Sequence, residues 1–415
     1  MGRSSRFAAL LLALVPILGV WASEERVSPP APGAPPELAS RIDLALQRGL
    51  AALVERQDAD GAWRSDTYGA LKHGLALTPS VAKACLYAGE TEAARRGLDA
   101  LIDCVGEDGT IDTSLHTPGY PVYTAALAVI ALSHAGTERD LAARDAWLTV
   151  LDSHQLDEGL GWSPDDEAYG GWGYSMKPPV KGRHGMDADL SSTLFALGAL
   201  RISGVPADDG RIAKARRFVL RCQNLPLDDA EPDVDGGLND GGFFFTPTND
   251  MQNKAGVAGT DASGRKRYRS YGSMTADGLR ALLRCGFEPD HPRVRAAQRW
   301  LAQHFDPDQN PGRYESVREV ERRSSYYYAS WSEAHAFFLS GTNEFDWARP
   351  LAEAMLERQR EDGTWSNPAG AVMEDDPLVA TPFALAVLGL CRMKLSAEKS
   401  RTGCSPLPTA AQASD

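Results

Sequence analysis

Cysteine is scarce: six in 415 residues, at Cys85, Cys104, Cys222, Cys285, Cys391 and Cys404, with no two spaced as CxxC. That excludes a disulfide-dense scaffold and a structural zinc site of the usual ligand spacing. Basic charge is also in deficit, with 43 Lys and Arg against 56 Asp and Glu and a net charge of −13. An acidic chain repels phosphate backbones, so neither nucleic acid nor an anionic membrane surface is an expected partner. Alternating apolar–polar runs long enough for a sheet are missing. After the N-terminus, no segment is expected to be long and apolar enough to span a membrane. The apolar fraction of 43% with 24% charged residues is the balance of a folded chain, which argues against global disorder.

The N-terminus reads as an address. Arg3 and Arg6 precede an uncharged apolar run, Phe7 to Leu18, and Val20-Trp21-Ala22 offers small side chains at −3 and −1. The pattern predicts a secretory signal peptide over residues 1–22, cleaved so that the mature chain begins at Ser23 and is periplasmic or extracellular. Pro29, Pro30, Pro32, Pro35 and Pro36 then mark residues 23–36 as an extended linker. After cleavage the protein is not expected to be an integral membrane protein. Residues 396–415 are expected to form a disordered tail.

A repeat governs residues 37–395. An amphipathic helix leads into Gln or Asp-Gly and then an aromatic or apolar residue. The phrase appears at Gln57–Trp63, Glu107–Ile111, Asp157–Trp162, Asp235–Leu238, Gln309–Tyr314 and Gln359–Trp365. After each phrase comes a second segment richer in Ala, Leu, Val and Gly, beginning near Pro79, Tyr123, Asp189, Ser273, Tyr328 and Thr381. A helix apolar on most of its surface is buried, and a one-sided helix lies outside. Each repeat is therefore expected to be an outer helix, a Gly-aromatic turn and an inner helix. Six such hairpins predict an all-α fold, an (α/α)6 barrel of twelve helices.

The Gln-x-x-Asp-Gly-x-Trp phrase, joined to this alternation, resembles the prenyltransferase and squalene-oxidase repeat, over about residues 40 to 393. That family builds the α/α toroid of squalene–hopene cyclases and of protein prenyltransferase β subunits. Gly170–Ser175 (GGWGYS), Asn239–Phe243 (NDGGF) and Arg269–Thr275 (RSYGSMT) resemble secreted bacterial members. The repeat specifies fold more than function, since one toroid hosts cyclases, transferases and non-catalytic proteins. Trp63, Trp162 and Trp365 are expected to be structural staples across the turn.

Inner-helix N-termini should converge on one mouth, made mildly positive by their dipoles. The expected ligand-cavity residues are Tyr123, Trp172, Tyr174, Phe243, Tyr271, Tyr327, Tyr328 and Trp331, with Tyr120, Ser273, Tyr326, Phe244 and Phe245 beside them. Aromatic walls suit an apolar ligand or a carbocation. At the third inner helix, His184-Gly185-Met186-Asp187-Ala188-Asp189-Leu190-Ser191-Ser192 resembles the Asp-x-Asp-Asp motif of class II terpene cyclases, whose central Asp protonates an alkene. Asp187 matches the first position and Asp189 the central one, but Leu190 replaces the last Asp. On that resemblance Asp189 is the candidate acid, with Asp187 and His184 able to tune or orient it. The alternative is that Asp189 simply N-caps its helix.

No metal site and no cofactor are expected. Prenyltransferase-type zinc ligation is missing its Asp-x-Cys, and His335 lacks partners for it. Asp229, Glu231, Asp233 and Asp240 share the spacing of a calcium loop, but Val234 stands where Gly is required, so a solvated acidic loop is expected. Arg265, Lys266, Arg267 and Arg269 suggest a basic surface hairpin or an anion grip. The functional expectation is an exported, terpenoid-cyclase-like toroid holding an apolar or isoprenoid ligand, with room for residual cyclase or isomerase chemistry. The alternatives are a scaffold for a cell-envelope protein and a polysaccharide-active (α/α)6 enzyme.

Overall fold

The structure is a computed structural model that describes residues 37–111, 120–182, 187–227, 237–261 and 264–402, the last five by backbone alone. Residues 1–36, which include the expected signal and linker, lie outside the described residues, as do His184 and most of the acidic loop.

Thirteen α-helices are present among the described residues. The outer ones are α1 (Leu38–Glu55), α3 (Thr91–Ile102), α5 (Glu138–Asp152), α7 (Gly210–Arg221), α9 (Pro292–His304) and α12 (Ala348–Glu357). The inner ones are α2 (Thr78–Ala88), α4 (Pro121–Ala135), α6 (Leu190–Ile202), α8 (Gly272–Arg284), α11 (Tyr326–Leu339) and α13 (Pro377–Thr402). A short α10 (Glu319–Ser324) leads into α11. The division follows the sequence pattern. Every residue of α6 from Leu190 to Leu200 is buried, whereas α3 buries only one stripe, Ala93, Ala94, Gly97, Leu98 and Leu101. Burial of that many side chains is the main stabilising term of the fold, at about 25 cal/mol per Å² of apolar surface.

Neighbouring inner helices pack side by side in chain order, and α13 returns to pack on both α1 and α2. The seam is hydrogen-bonded. Gln359 Nε2 donates to the Ala45 carbonyl at 2.8 Å, Arg48 Nη2 to the Glu361 carbonyl at 2.8 Å, and Arg56 pairs with Asp362 at 3.1 Å. The chain is thus an α/α toroid, closed by its sixth hairpin on its first.

The Gly-aromatic phrase has one geometry. Gln57 Nε2 donates to Gly61 O (2.8 Å) and across to Ala93 O on the next outer helix (2.9 Å). Trp63 Nε1 donates to Leu53 O (2.7 Å), and its backbone N–H donates to Thr78 Oγ1 at the start of the inner helix (3.0 Å). Gln359, Gly363, Trp365, Met355 and Thr381 repeat the pattern. So in these two repeats the phrase ties an outer helix to the inner helix after it and to the outer helix of the following repeat.

That geometry corrects the phrase in two repeats. In the third, the staple is Gln155, Gly170 and Trp172: Gln155 Nε2 reaches Gly170 O and Arg211 O, both at 2.9 Å, and Trp172 Nε1 reaches Leu151 O at 2.7 Å. Trp162, expected there, lies inside the stretch inserted between Gln155 and Gly170. In the fourth, Gln223 reaches Gly241 O (3.1 Å) and Arg293 O (3.0 Å), and Phe243 takes the tryptophan's place. Gly170 has φ +87°, and a Cβ there would collide with the Lys214 carbonyl, so turn and close approach both demand glycine.

Three further differences concern the periphery. Helix α13 starts before Thr381 and continues past residue 395 to Thr402. Its segment Pro377–Ala397 is in fact long and apolar enough to cross a membrane, but half of it is buried as an inner wall of the ring. A small antiparallel hairpin, β1 (Val257–Thr260) with β2 (Lys266–Tyr268), interrupts the fourth repeat. Its Arg267 is buried, pairing with Asp261 at 3.1 Å and donating to Leu238 O at 2.9 Å, so this member of the basic cluster is structural.

Candidate ligand cavity

The inner helices enclose a cavity of about 1960 Å³. It exceeds the roughly 300–1,000 Å³ typical of small-molecule sites. A chain of rings runs along its wall. Tyr174 stacks on Phe245 (centroids 6.5 Å apart) and meets Tyr123 at 5.5 Å; Tyr123 meets Phe195 at 5.0 Å. Phe195 stacks on Trp331 at 5.4 Å and 14°, and Trp331 meets Tyr328 and Phe383 at 5.6 and 5.3 Å. These seven rings come from α4, α6, α11, α13 and the two turn segments holding Tyr174 and Phe245.

Of the eight expected cavity residues, Tyr123, Tyr174, Tyr328 and Trp331 line the cavity, joined by Tyr120, Ser273 and Phe245. Trp172, Phe243, Tyr271 and Tyr327 do not; each is buried in the wall. Trp172 and Phe243 are staples, as above. Tyr271 meets Tyr314 at 5.7 Å, and Tyr327 meets Tyr326 at 5.1 Å. A one-dimensional sequence separates these groups poorly, because a staple ring and a lining ring both sit near the start of an inner helix.

Asp189 is buried and N-caps α6. Its Oδ1 accepts the Ser192 N–H and its Oδ2 the Ser192 hydroxyl, both at 2.7 Å. Burial raises its carboxyl to about 7 despite those donors. Asp189 is not on the cavity wall, and Asp187, half-buried, is not among its hydrogen-bond partners. His184 lies outside the described residues. Asp240, the candidate last ligand of a calcium loop, instead accepts from Ser270 Oγ (2.7 Å), Gly242 N (3.0 Å) and Trp300 Nε1 (3.2 Å). Residues 228–236 of that loop lie outside the described residues.

The structure adds a polar network that sequence reasoning missed. Asp277 on α8 is fully buried. Tyr328 donates to its Oδ2 at 2.6 Å, and Ser332 donates to its Oδ1. Ser191 joins through the Tyr328 hydroxyl. Arg280 lies 3.7 Å from Asp277, donates to Ser332 at 3.1 Å, and stacks over the Trp331 ring at 4.3 Å. Burial lifts the Asp277 carboxyl to about 6, against the pull of Arg280. Asp277, Arg280 and Arg284 fall on one face of α8 at spacings of three and four, and that spacing was the available signal. Lys83, Arg284, His134 and His335 also line the cavity. Burial, with the charge of Lys83 behind it, lowers His134 to about 4, and Tyr87 Oη lies 2.6 Å from its Nε2.

No known family profile matches the sequence, and no curated protein does. Solved structures share the fold. The type II terpene cyclase MstE from Scytonema, as a single-site variant in complex with geranylgeranyl dihydroxybenzoate, aligns with TM-score 0.52 at 14% identity, over 86% of this chain and 97% of that one. A D-mannose isomerase aligns with TM-score 0.56 at 14% identity, over 88% and 100%. At such identities the likeness is one of fold alone, and it spans chemistries as different as a terpenoid and a sugar.

Proposed function

We propose that this protein is an exported toroid whose central cavity holds an apolar, isoprenoid-like molecule. The observation that carries the proposal is the continuous run of seven rings along a cavity of about 1960 Å³. Aromatic faces offer large apolar contact area and a negative π surface, and both suit a polyene chain. A scaffold for another protein has no use for an open centre. The fold shared with a cyclase whose substrate carries a geranylgeranyl chain is consistent with this choice.

The role proposed is binding. Asp189 has both carboxylate oxygens engaged by Ser192, which makes it a helix cap. One observation favours a second reading, residual proton-initiated cyclisation. A carboxyl raised to about 7 keeps a protonated fraction at neutral pH.

The test is to purify the chain from an exporting host, extract it and identify bound lipid by mass spectrometry, then titrate delipidated protein with geranylgeraniol. Binding that quenches tryptophan fluorescence and weakens about ten-fold or more in the Phe195→Ala, Trp331→Ala double variant is expected, since each lost ring contact removes about 1–2 kcal/mol. Absence of both lipid and geranylgeraniol binding would sink the proposal. The intact mass of the exported protein should begin at Ser23. Cyclised product from geranylgeraniol, lost in Asp189→Asn, would favour the second reading.

A further inference from the structure

Beside its run of rings the cavity carries a cationic cluster. Lys83 of α2 and Arg280 and Arg284 of α8 all line the cavity, and their charges reach one another: burial first, then Arg280 and Arg284, pull the Lys83 ammonium down to about 8. Lys83 makes no hydrogen bond and no ion pair with any described residue. Arg284 has no acidic partner among the described residues; Nη1 donates to the Leu194 carbonyl at 2.6 Å. Arg280 is buried, and its Nε has no partner. The facing helix is built to admit the arginine: a Cβ at Gly198 of α6 would come within 2.8 Å of Arg284 Nη1 and 2.9 Å of its Cζ. Of the acids nearby, Asp277 is already saturated by Tyr328, Ser332 and Arg280, and Glu90 and Glu288 are exposed at the rim. Three positive side chains, Arg280 buried and Lys83 and Arg284 partly so, thus line one cavity with one buried negative charge among them. Like charges gathered with so little compensation repel, and an anion bound among them offsets that repulsion.

Resting on the proposal that the cavity holds an isoprenoid-like chain, the geometry points to a ligand that is an amphiphilic acid: Lys83, Arg280 and Arg284 hold a carboxylate or phosphate head, and the apolar tail runs along Phe195, Trp331 and the mouth tyrosines. Arg280 serves both parts of the ligand, since its guanidinium lies over the Trp331 ring and it lines the cavity with Lys83 and Arg284. Charge-assisted hydrogen bonds then select acid over alcohol.

The experiment compares three probes of one tail on the delipidated full chain: geranylgeraniol, geranylgeranoic acid and geranylgeranyl monophosphate. At least one of the two acids is expected to bind about ten-fold or more tighter than the alcohol, and the tighter acid names the head group. Lys83→Met and Arg284→Met should each erase about ten-fold of the acid's affinity and leave the alcohol's unchanged, with Lys83→Arg restoring the preference. If Arg284→Met does not fold, judged by circular dichroism, Lys83→Met carries the comparison, because that side chain makes no contact the fold depends on. Equal affinity for alcohol and both acids, or variants that weaken all three equally, overturns the acid head while leaving the cavity as an apolar site. Failure of all three probes to bind overturns both.

Discussion

The Tyr328 hydroxyl on α11 donates to the Asp277 carboxylate on α8 at 2.6 Å, joining two neighbouring inner helices under the aromatic wall. Tyr328→Phe keeps the ring and removes the donor, leaving a buried carboxylate short of one partner. The expected loss is about 1–3 kcal/mol in urea unfolding. Asp277→Asn should recover part of it in the double variant, because a neutral amide needs the phenol less. Additive losses would mean that the two residues act independently.

The staple makes a sharper test of fold. Trp172→Phe removes the bond to Leu151 O and part of a fully buried ring system and should cost about 2–3 kcal/mol, whereas Trp172→Ala should cost about 3–5 kcal/mol. Gly170→Ala should cost several times more than Gly204→Ala. Both glycines sit near φ +87°, but a Cβ at 204 meets nothing within 4 Å, whereas at 170 it meets the Lys214 carbonyl. Equal losses at the two positions, measured by the urea midpoint, would show that strain in φ alone matters there.

Asp189 separates cap from acid. Asp189→Ala should destabilise by about 1–2 kcal/mol, and Asp189→Asn by less, since Asn also caps. The pH dependence has a definite sign. A carboxyl raised to about 7 in the folded chain, against about 3.9 unfolded, binds the proton more tightly when folded. Its contribution is therefore complete below about pH 4 and is lost as pH rises through about 7. Asp277 and Glu374, raised to about 6 and about 7 by burial, act in the same direction. Thermal midpoints should fall between about pH 5 and 8, and the slope should be shallower in Asp189→Asn. A wild-type midpoint that rises over that interval would contradict these shifts.

Much of this architecture was legible in the sequence, and the reasons are local. Gln57-x-x-x-Gly61-x-Trp63 and Gln359-x-x-x-Gly363-x-Trp365 keep the staple compact, so they announce the repeat, and the apolar inner segments announce the ring. The third and fourth staples are hard to place from sequence because an insertion separates Gln155 from Gly170 and Gln223 from Gly241, and the decoy glycines 159 and 236 fall between those pairs in the sequence. Trp172 reads as a lining ring because GGWGYS puts a staple and a lining residue, Tyr174, two positions apart. Lys83 and Arg284 carried no signal as a pair, because only ring closure brings α2 and α8 to one cavity.

Removal of the last hairpin should be catastrophic. Truncation after residue 345 deletes α12 and α13, exposes the faces of α1, α2 and α11, and strips the partners of Arg48 and Arg56. The product is expected to lose cooperative unfolding, read by circular dichroism and urea titration. A shorter chain with one sharp transition would mean that the hairpins stand without closure.

Because the phrase after α12 meets α1 through the same Gln-to-carbonyl bridge that joins the first phrase to α3, the seam is built like an interior junction of the ring. Where the polypeptide is cut is then a matter of connectivity alone. Joining residue 397 to residue 37 through a short flexible linker and opening the chain in the exposed stretch after α5, near Glu158, should yield a circular permutant with the same six hairpins and the same enclosed space.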